Sequence, residues 1–311
     1  MFFSILFVLS LLSFVRTSPL SKPVVKRNNG LTTTAVAAST ISSDFVRPAQ
    51  FSRLAYCSSG AIQTLSCGGP CDDLGAGSVT MLLVGGDGGQ VPHFFVAQDA
   101  TTKSIVVAHQ GTNSSNPLSV INDLNFSQTP LNATLFPGVS DNVQVHEGFA
   151  ETQGRTADAV LAAVQSGLAS TGFSKVLVTG HSLGAAIATM DALMLNMNLG
   201  SNVQITTTTF GLPRGGNQDF ANLVDSQLGG SYTFITHGND PVPIVPPQAI
   251  GYVHSSGEVH ITDNAGTAVA CPGQENENCI DGTSLLDVNV GDHLGPYFSG
   301  IFMSGSACPN V

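Results

Sequence analysis

Val176-Leu-Val-Thr-Gly180-His-Ser182-Leu-Gly184-Ala-Ala186 is the stretch that decides the fold. Lys175–Thr179 is aliphatic and β-branched and reads as a buried strand, while Ala185–Asn196, rich in Ala, Leu and Met, reads as a helix. Between them stands G-x-S-x-G, in the strand–turn–helix context in which that pattern acts as a nucleophile elbow. The turn is so tight that bulk at Gly180 or Gly184 would clash, and it lifts the Ser182 hydroxyl clear of the sheet. There, at a helix N-terminus, partial positive charge favours a developing oxyanion. In a chain with 34 glycines a bare G-x-S-x-G arises by accident. The strand before it and the Ala-rich helix after it make Ser182 the candidate nucleophile.

Outward from that turn, short β-branched or aromatic runs at Met81–Val84, Phe94–Gln98 and Ser104–His109 alternate with Gly-rich turns and read as strands. Ala157, Val160, Leu161, Val164 and Leu168 recur at helical spacing, with Asp158 in the first turn. Val203–Phe210 and Tyr232–Thr236 are further strands, and Phe220–Leu228 between them has a helical pattern. Residues 28–50, free of Gly and Pro between Gly30 and Pro48, are expected to form a helix packed on the domain. Strands alternating with helices imply an α/β architecture with a largely parallel sheet covered on both faces. No linker divides it, so a single domain is expected.

A serine hydroxyl is a poor nucleophile until a base takes its proton, and in this arrangement an acid and then a histidine follow in the chain. Asp240, in Phe234-Ile-Thr-His-Gly-Asn-Asp240-Pro-Val-Pro243, stands directly after a strand, where α/β sheets place their sites. Asp219 and Asp225 fall in a helical pattern and read as solvated; Asp263 and the acids of the 275–287 stretch lie in polar loops. For the base, His293 sits in a late loop before an expected apolar C-terminal helix, but His254 and His260 also follow Asp240, and spacing does not choose among the three. His93, His109, His146, His181 and His237 precede the acid and read as structural. An oxyanion hole needs the backbone N–H after the nucleophile, that of Leu183, and a second donor from an earlier strand end. Val106-Val-Ala-His-Gln-Gly111-Thr112 fits, with Thr112 offering an N–H and a hydroxyl.

The ends and the composition speak to compartment. Phe2–Val15 is an apolar run too short to span a bilayer and reads as the core of a signal peptide over residues 1–17. Residues 18–27 read as a propeptide ending in Lys26-Arg27, leaving a domain over 28–311. Losing that leader removes four basic residues and no acid, taking the net charge from −11 to −15. Such a surface argues against nucleic acid and anionic membranes as partners and is compatible with neutral substrates without selecting one; oligomeric state is left open. Six cysteines fit an oxidising space. Cys67 with Cys71 and Cys271 with Cys279 are plausible local loops, leaving Cys57 and Cys308, one of fifteen connectivities. No histidine has finger-like spacing from them, so no metal is expected. Sequons at Asn113, Asn125 and Asn132 are glycosylation candidates.

From Ala55-Tyr-Cys57 to Cys308 the chain resembles the fungal class 3 triacylglycerol lipases and their relatives the feruloyl esterases. The similar pieces include Gly111-Thr112, Val145-His-Glu-Gly-Phe149, Gly180–Gly184, Phe210-Gly-Leu-Pro-Arg-Gly215, Ile235–Pro243, Pro246-Pro247 and Gly251-Tyr-Val-His-Ser-Ser256. The resemblance implies an α/β-hydrolase fold and a secreted serine esterase, with Ser182, Asp240 and His293 as triad and Thr112 and Leu183 as oxyanion donors. It also implies a Cys57–Cys308 staple, structural roles for His146, His181 and His254, and no cofactor. The expected substrate is a triacylglycerol at an oil–water interface, with a feruloyl or general carboxylesterase as alternative and a non-catalytic surface protein as a remote one. Family lipases carry a mobile lid after the Gly-Thr. Here Asn113–Phe126 holds Pro117 and only a modest apolar stripe, and the chain has no Trp. A less apolar lid gains less from an oil surface.

Overall fold

The computed structural model describes residues 31–112 and 125–308. Residues 1–30, with the expected signal peptide and Lys26-Arg27, 113–124, with Asn113 and most of the expected lid, and 309–311 lie outside the described residues.

The strands are β1 (Thr34–Ala35), β2 (Val79–Gly85), β3 (Phe94–Asp99), β4 (Ser104–His109), β5 (Gln128–Pro130), β6 (Gln144–His146), β7 (Lys175–His181), β8 (Gln204–Phe210), β9 (Tyr232–His237), β10 (Glu258–Ile261) and β11 (Ala268–Cys271). Nine of them form one sheet in the order β1-β11-β10-β9-β8-β7-β4-β3-β2, and β5 pairs with β6 apart from it. The five central strands, β4, β7, β8, β9 and β10, run parallel; both edges are antiparallel. This is the α/β-hydrolase architecture in one domain.

Successive strand residues point to opposite faces, and the two apolar layers show it. Phe94, Val96, Ile105, Val107, Val176 and Val178 join one core, while Phe95, Ala97, Val106 and Ala108 join another. The first is covered by α2 (Glu147–Gly154), α3 (Ala157–Thr171), α4 (Leu183–Asn198) and α5 (Gln218–Gln227), and the second by α1 (Val46–Leu54). A strand buried on both faces has no polar alternation, which is why these runs read as continuous β-branched stretches. α4 is buried along its whole length from Gly184 to Leu195, as its Ala-rich composition requires.

Two expectations are corrected. The helix expected over residues 28–50 begins only at Ala38, passes through a π-turn over Ile41–Phe45 and becomes regular in α1. Before it, Thr34–Ala35 is drawn into edge pairing with β11. No apolar helix follows His293 among the described residues. α6 (Val290–Leu294) ends at Gly295, whose φ of 123° leaves the helix, Pro296 has no N–H to continue it, and only 3-10 turns follow among the described residues, at Phe298–Gly300 and Gly305–Ala307. Cys57 is joined to Cys308, Cys67 to Cys71 and Cys271 to Cys279.

Candidate active site

Parallel strands deliver their C-terminal ends to one rim, and β4, β7 and β9 each end there on a residue of interest. At the end of β7, Ser182 takes φ 59° and ψ −127° before α4 begins. A non-glycine residue held so costs about 1–3 kcal/mol, which the surrounding packing must offset. The elbow tolerates no side chain on its flanks. A Cβ on Gly180 would lie 2.3 Å from the Gly184 carbonyl oxygen, and one on Gly184 would lie 2.4 Å from the His109 carbonyl oxygen. Ser182 is pinned by its own N–H to the Phe210 carbonyl at 2.9 Å, while its side chain stays half-buried at the rim.

Asp240 follows β9 and is fully buried. Its Oδ1 accepts from Val242 N–H at 2.8 Å, and its Oδ2 meets His293 Nδ1 at 2.9 Å. A carboxylate on Nδ1 holds the proton there and leaves Nε2 as the free, basic nitrogen. His293 rides on α6, whose cap Asn289 accepts from Gly291 N–H. The two loops are laced together: Asn239 N–H donates to Asp292, and Asn289 N–H donates to the Asn239 carbonyl. The ring of His181, the residue before Ser182, lies 4.5 Å from that of His293. Asp240 and His293 are thus bonded to each other, and the residue preceding Ser182 packs against the imidazole.

The rival histidines point elsewhere. His254 Nε2 donates to the Pro243 carbonyl at 2.8 Å and the ring stacks on Phe234; His260 Nδ1 bonds Thr236 at 2.8 Å. Burial pulls each to about 4, so both are neutral near pH 7. His146, also lowered to about 4 by burial, stacks on Phe149 and caps α2 by accepting from its N–H. His109 is paired with buried Asp191 at 2.8 Å, and His237 with the Asp292 carbonyl. Burial holds His181 well below the usual imidazole range, with its Nε2 on the His293 carbonyl at 2.7 Å.

Leu183 opens α4, where backbone amides have no intrahelical partner, and Gly111-Thr112 continue from β4 beside it. A Cβ on Gly111 would sit 2.8 Å from Ser182 Cβ, so the strand end passes directly against the elbow. Asn125 and Asn132 are exposed. Asp219 is solvated, but Asp225 is not: it accepts from Ser256 N–H and Oγ at 2.8 and 2.9 Å. Two acids of the 275–287 stretch, Glu275 and Asp281, are likewise drawn in, while Asp287 stays exposed. Arg214, 2% exposed, reaches Glu275 and Asp281 at 2.8 Å each and donates to the Ile244 and Pro246 carbonyls, bracing the loop that follows Asp240. Against its burial, that guanidinium keeps Glu275 well below the usual carboxylate range. Nothing in the sequence pairs Arg214 with acids some sixty residues on. Glu258, Cys271 and Cys279 cluster, but the two sulfurs are joined to each other and offer a metal no thiolate.

A family model described as lipase (class 3) matches residues 106–250. A secreted mono- and diacylglycerol lipase of Malassezia globosa is 33% identical over 269 residues, covering 86% of this chain and 85% of the relative. The chain belongs to the class 3 lipase family. A second relative, a secreted mono- and diacylglycerol lipase of Fusarium solani, is 34% identical over 91% of this chain and 85% of its own length. Among solved structures, the lipase of Rhizomucor miehei, a triacylglyceride lipase, superposes with a TM-score of 0.76 at 28% identity, over 89% of this chain and all of that one. A triacylglycerol lipase whose catalytic centre is a serine-protease triad superposes equally well at 30% identity. As a class 3 lipase the chain is a secreted carboxylic ester hydrolase, and no described helix is long and apolar enough to cross a membrane.

Proposed function

We propose that Ser182, His293 and Asp240 are the catalytic triad of this lipase, that Leu183 and Thr112 supply the oxyanion hole, and that the substrate is an acylglycerol taken from a lipid surface. The observation that carries the reading is the buried 2.9 Å bond from Asp240 to His293 Nδ1 beside the strained elbow at Ser182. His293 Nε2 takes the Ser182 proton as its oxygen attacks the ester carbonyl. The oxyanion that forms accepts from the Leu183 and Thr112 amides, donors fixed before reaction begins. His293 then protonates the leaving alcohol, and water attacks the acyl-enzyme with the roles reversed. Asp240 keeps Nδ1 protonated throughout and stabilises the imidazolium.

The relatives from Malassezia and Fusarium are mono- and diacylglycerol lipases, whereas the structural neighbours are triacylglycerol lipases. A panel of emulsified triacylglycerol, mono- and diacylglycerol, p-nitrophenyl butyrate and methyl ferulate, run on the parent and on Ser182→Ala, separates the readings. Acylglycerol turnover that vanishes in the alanine variant is expected. Dominant ferulate turnover, or an alanine variant as fast as its parent, overturns the proposal.

A further inference from the structure

One chain of buried hydrogen bonds touches all three loops of the site and contains no triad member's side chain. It starts at Tyr56, which lies just past α1 and next to Cys57, the cysteine bonded to Cys308. The phenol is buried and bonds His181 Nδ1, and Gly111 packs directly against the same oxygen. His181 passes the contact on, its Nε2 lying 2.7 Å from the His293 carbonyl, which also accepts from Tyr297 at 3.1 Å. A carbonyl can only accept, so Nε2 carries the proton, Nδ1 is a lone pair, and Tyr56 must donate to it. The donor directions therefore run one way, Tyr56 to His181 and His181 to His293, with Gly111 packed against the first donor.

We infer that Tyr56 and His181 are positioning residues that set the oxyanion strand end, the elbow and the catalytic imidazole at fixed mutual distances. The inference rests on the triad reading above. Gly111 precedes the oxyanion donor Thr112, His181 precedes the nucleophile, and His293 is the base, so the chain ties each reacting group through its nearest backbone neighbour. The anchor is itself rigid. α1 is fastened to β7 by the Ser52–Thr179 hydroxyl pair at 2.7 Å, and Cys57 is closed on the far end of the chain. Gly111 must be glycine for this, because a Cβ there would lie 2.5 Å from the Tyr56 hydroxyl and 2.6 Å from the His181 carbonyl. The role also accounts for a histidine inside the elbow: a residue at 181 must donate at one end and accept at the other, one ring apart, and a neutral imidazole does both.

The test is Tyr56→Phe, which removes one oxygen and keeps the packing. Displacing reacting groups by a fraction of an ångström to an ångström lowers turnover about tenfold to a hundredfold. That loss is expected in kcat with KM unchanged. Affinity for an alkyl boronic acid, which forms a tetrahedral anion on the serine, falls by the same factor, while fluorophosphonate titration still counts one site per molecule. A merely structural phenol would lower the titratable fraction and leave kcat per titrated site and boronate affinity as in the parent; that result overturns the inference. His181→Gln and the double variant complete the test. If Tyr56 acts through His181, the double variant is no slower than the slower single one, and losses that multiply refute it. Ser182→Ala in the same assay keeps the two readings apart: activity surviving there defeats the triad, whereas a normal Tyr56→Phe defeats only the positioning chain.

Discussion

Glu258→Gln should remove a pH dependence of stability that this fold carries in its far edge. Glu258, on β10, is 5% exposed. One oxygen takes both of its donors, Thr236 Oγ1 at 2.7 Å and Ile280 N–H at 3.1 Å. His260 lies 4.0 Å away but, lowered to about 4 by burial, offers no positive charge near neutrality. Burial therefore dominates and raises Glu258 to about 7, the two donors offsetting it in part and Glu275 and Asp281 adding to it. An acid raised on folding contributes fully while both states are protonated, below its ordinary value near 4.5. The contribution is lost as pH climbs through the folded value near 7. A shift of that size corresponds to about 3 kcal/mol, at about 1.4 kcal/mol per pH unit. Glutamine reproduces the protonated acid, since its carbonyl oxygen can accept both donors. Parent and variant should melt together near pH 4.5, and at pH 8 the variant should melt about 6 °C higher, at roughly 2 °C per kcal/mol for a chain of this size. Circular dichroism melts across pH 4.5–8 with disulfides intact read this directly. Parallel curves for the two proteins would show that Glu258 is already ionised in the fold and refute the reasoning.

Three further outcomes are expected. Asp240→Asn leaves the fold intact but no longer fixes the His293 tautomer, and kcat should fall about 10³–10⁴-fold at unchanged thermal midpoint, read on a soluble ester. Gly184→Ala drives a Cβ to 2.4 Å from the His109 carbonyl oxygen, a backbone atom that cannot step aside. Calorimetry should show at least about 2 kcal/mol of destabilisation, from overpacking against a fixed strand. Replacing Cys57 and Cys308 together by serine opens a crosslink spanning 251 residues, and urea unfolding should show a loss of about 3–5 kcal/mol.

The elbow was legible because it is a local solution to a local problem: a strand, two glycines and an Ala-rich helix specify the turn without help from elsewhere. Ser104–His109 was legible as a continuous β-branched run buried on both faces, and the helix after Thr156 by its helical spacing of apolar residues. Residues joined only through space were not. Spacing left the choice among His254, His260 and His293 open, and what separates them is which ring meets Asp240 across 53 residues. Asp225 read as solvated because nothing in its helix reveals that the Ser256 backbone will arrive against it. β1 and β11 are too short, at two and four residues, to carry a pattern of their own; β11 exists by pairing along β10, and β1 covers part of β11's outer edge. The C-terminal helix was expected from apolar composition alone; Gly295 and Pro296 were the contrary signal, and backbone chemistry outweighed composition.

Labelling the protein with a fluorophosphonate and mapping the adduct by peptide mass bears most directly on the chemistry proposed. One equivalent on Ser182 is expected, with ester hydrolysis lost in proportion, and labelling should be slowed at least about a thousandfold in a folded His293→Gln variant. An adduct on another residue, or full activity with Ser182 modified, would contradict the mechanism.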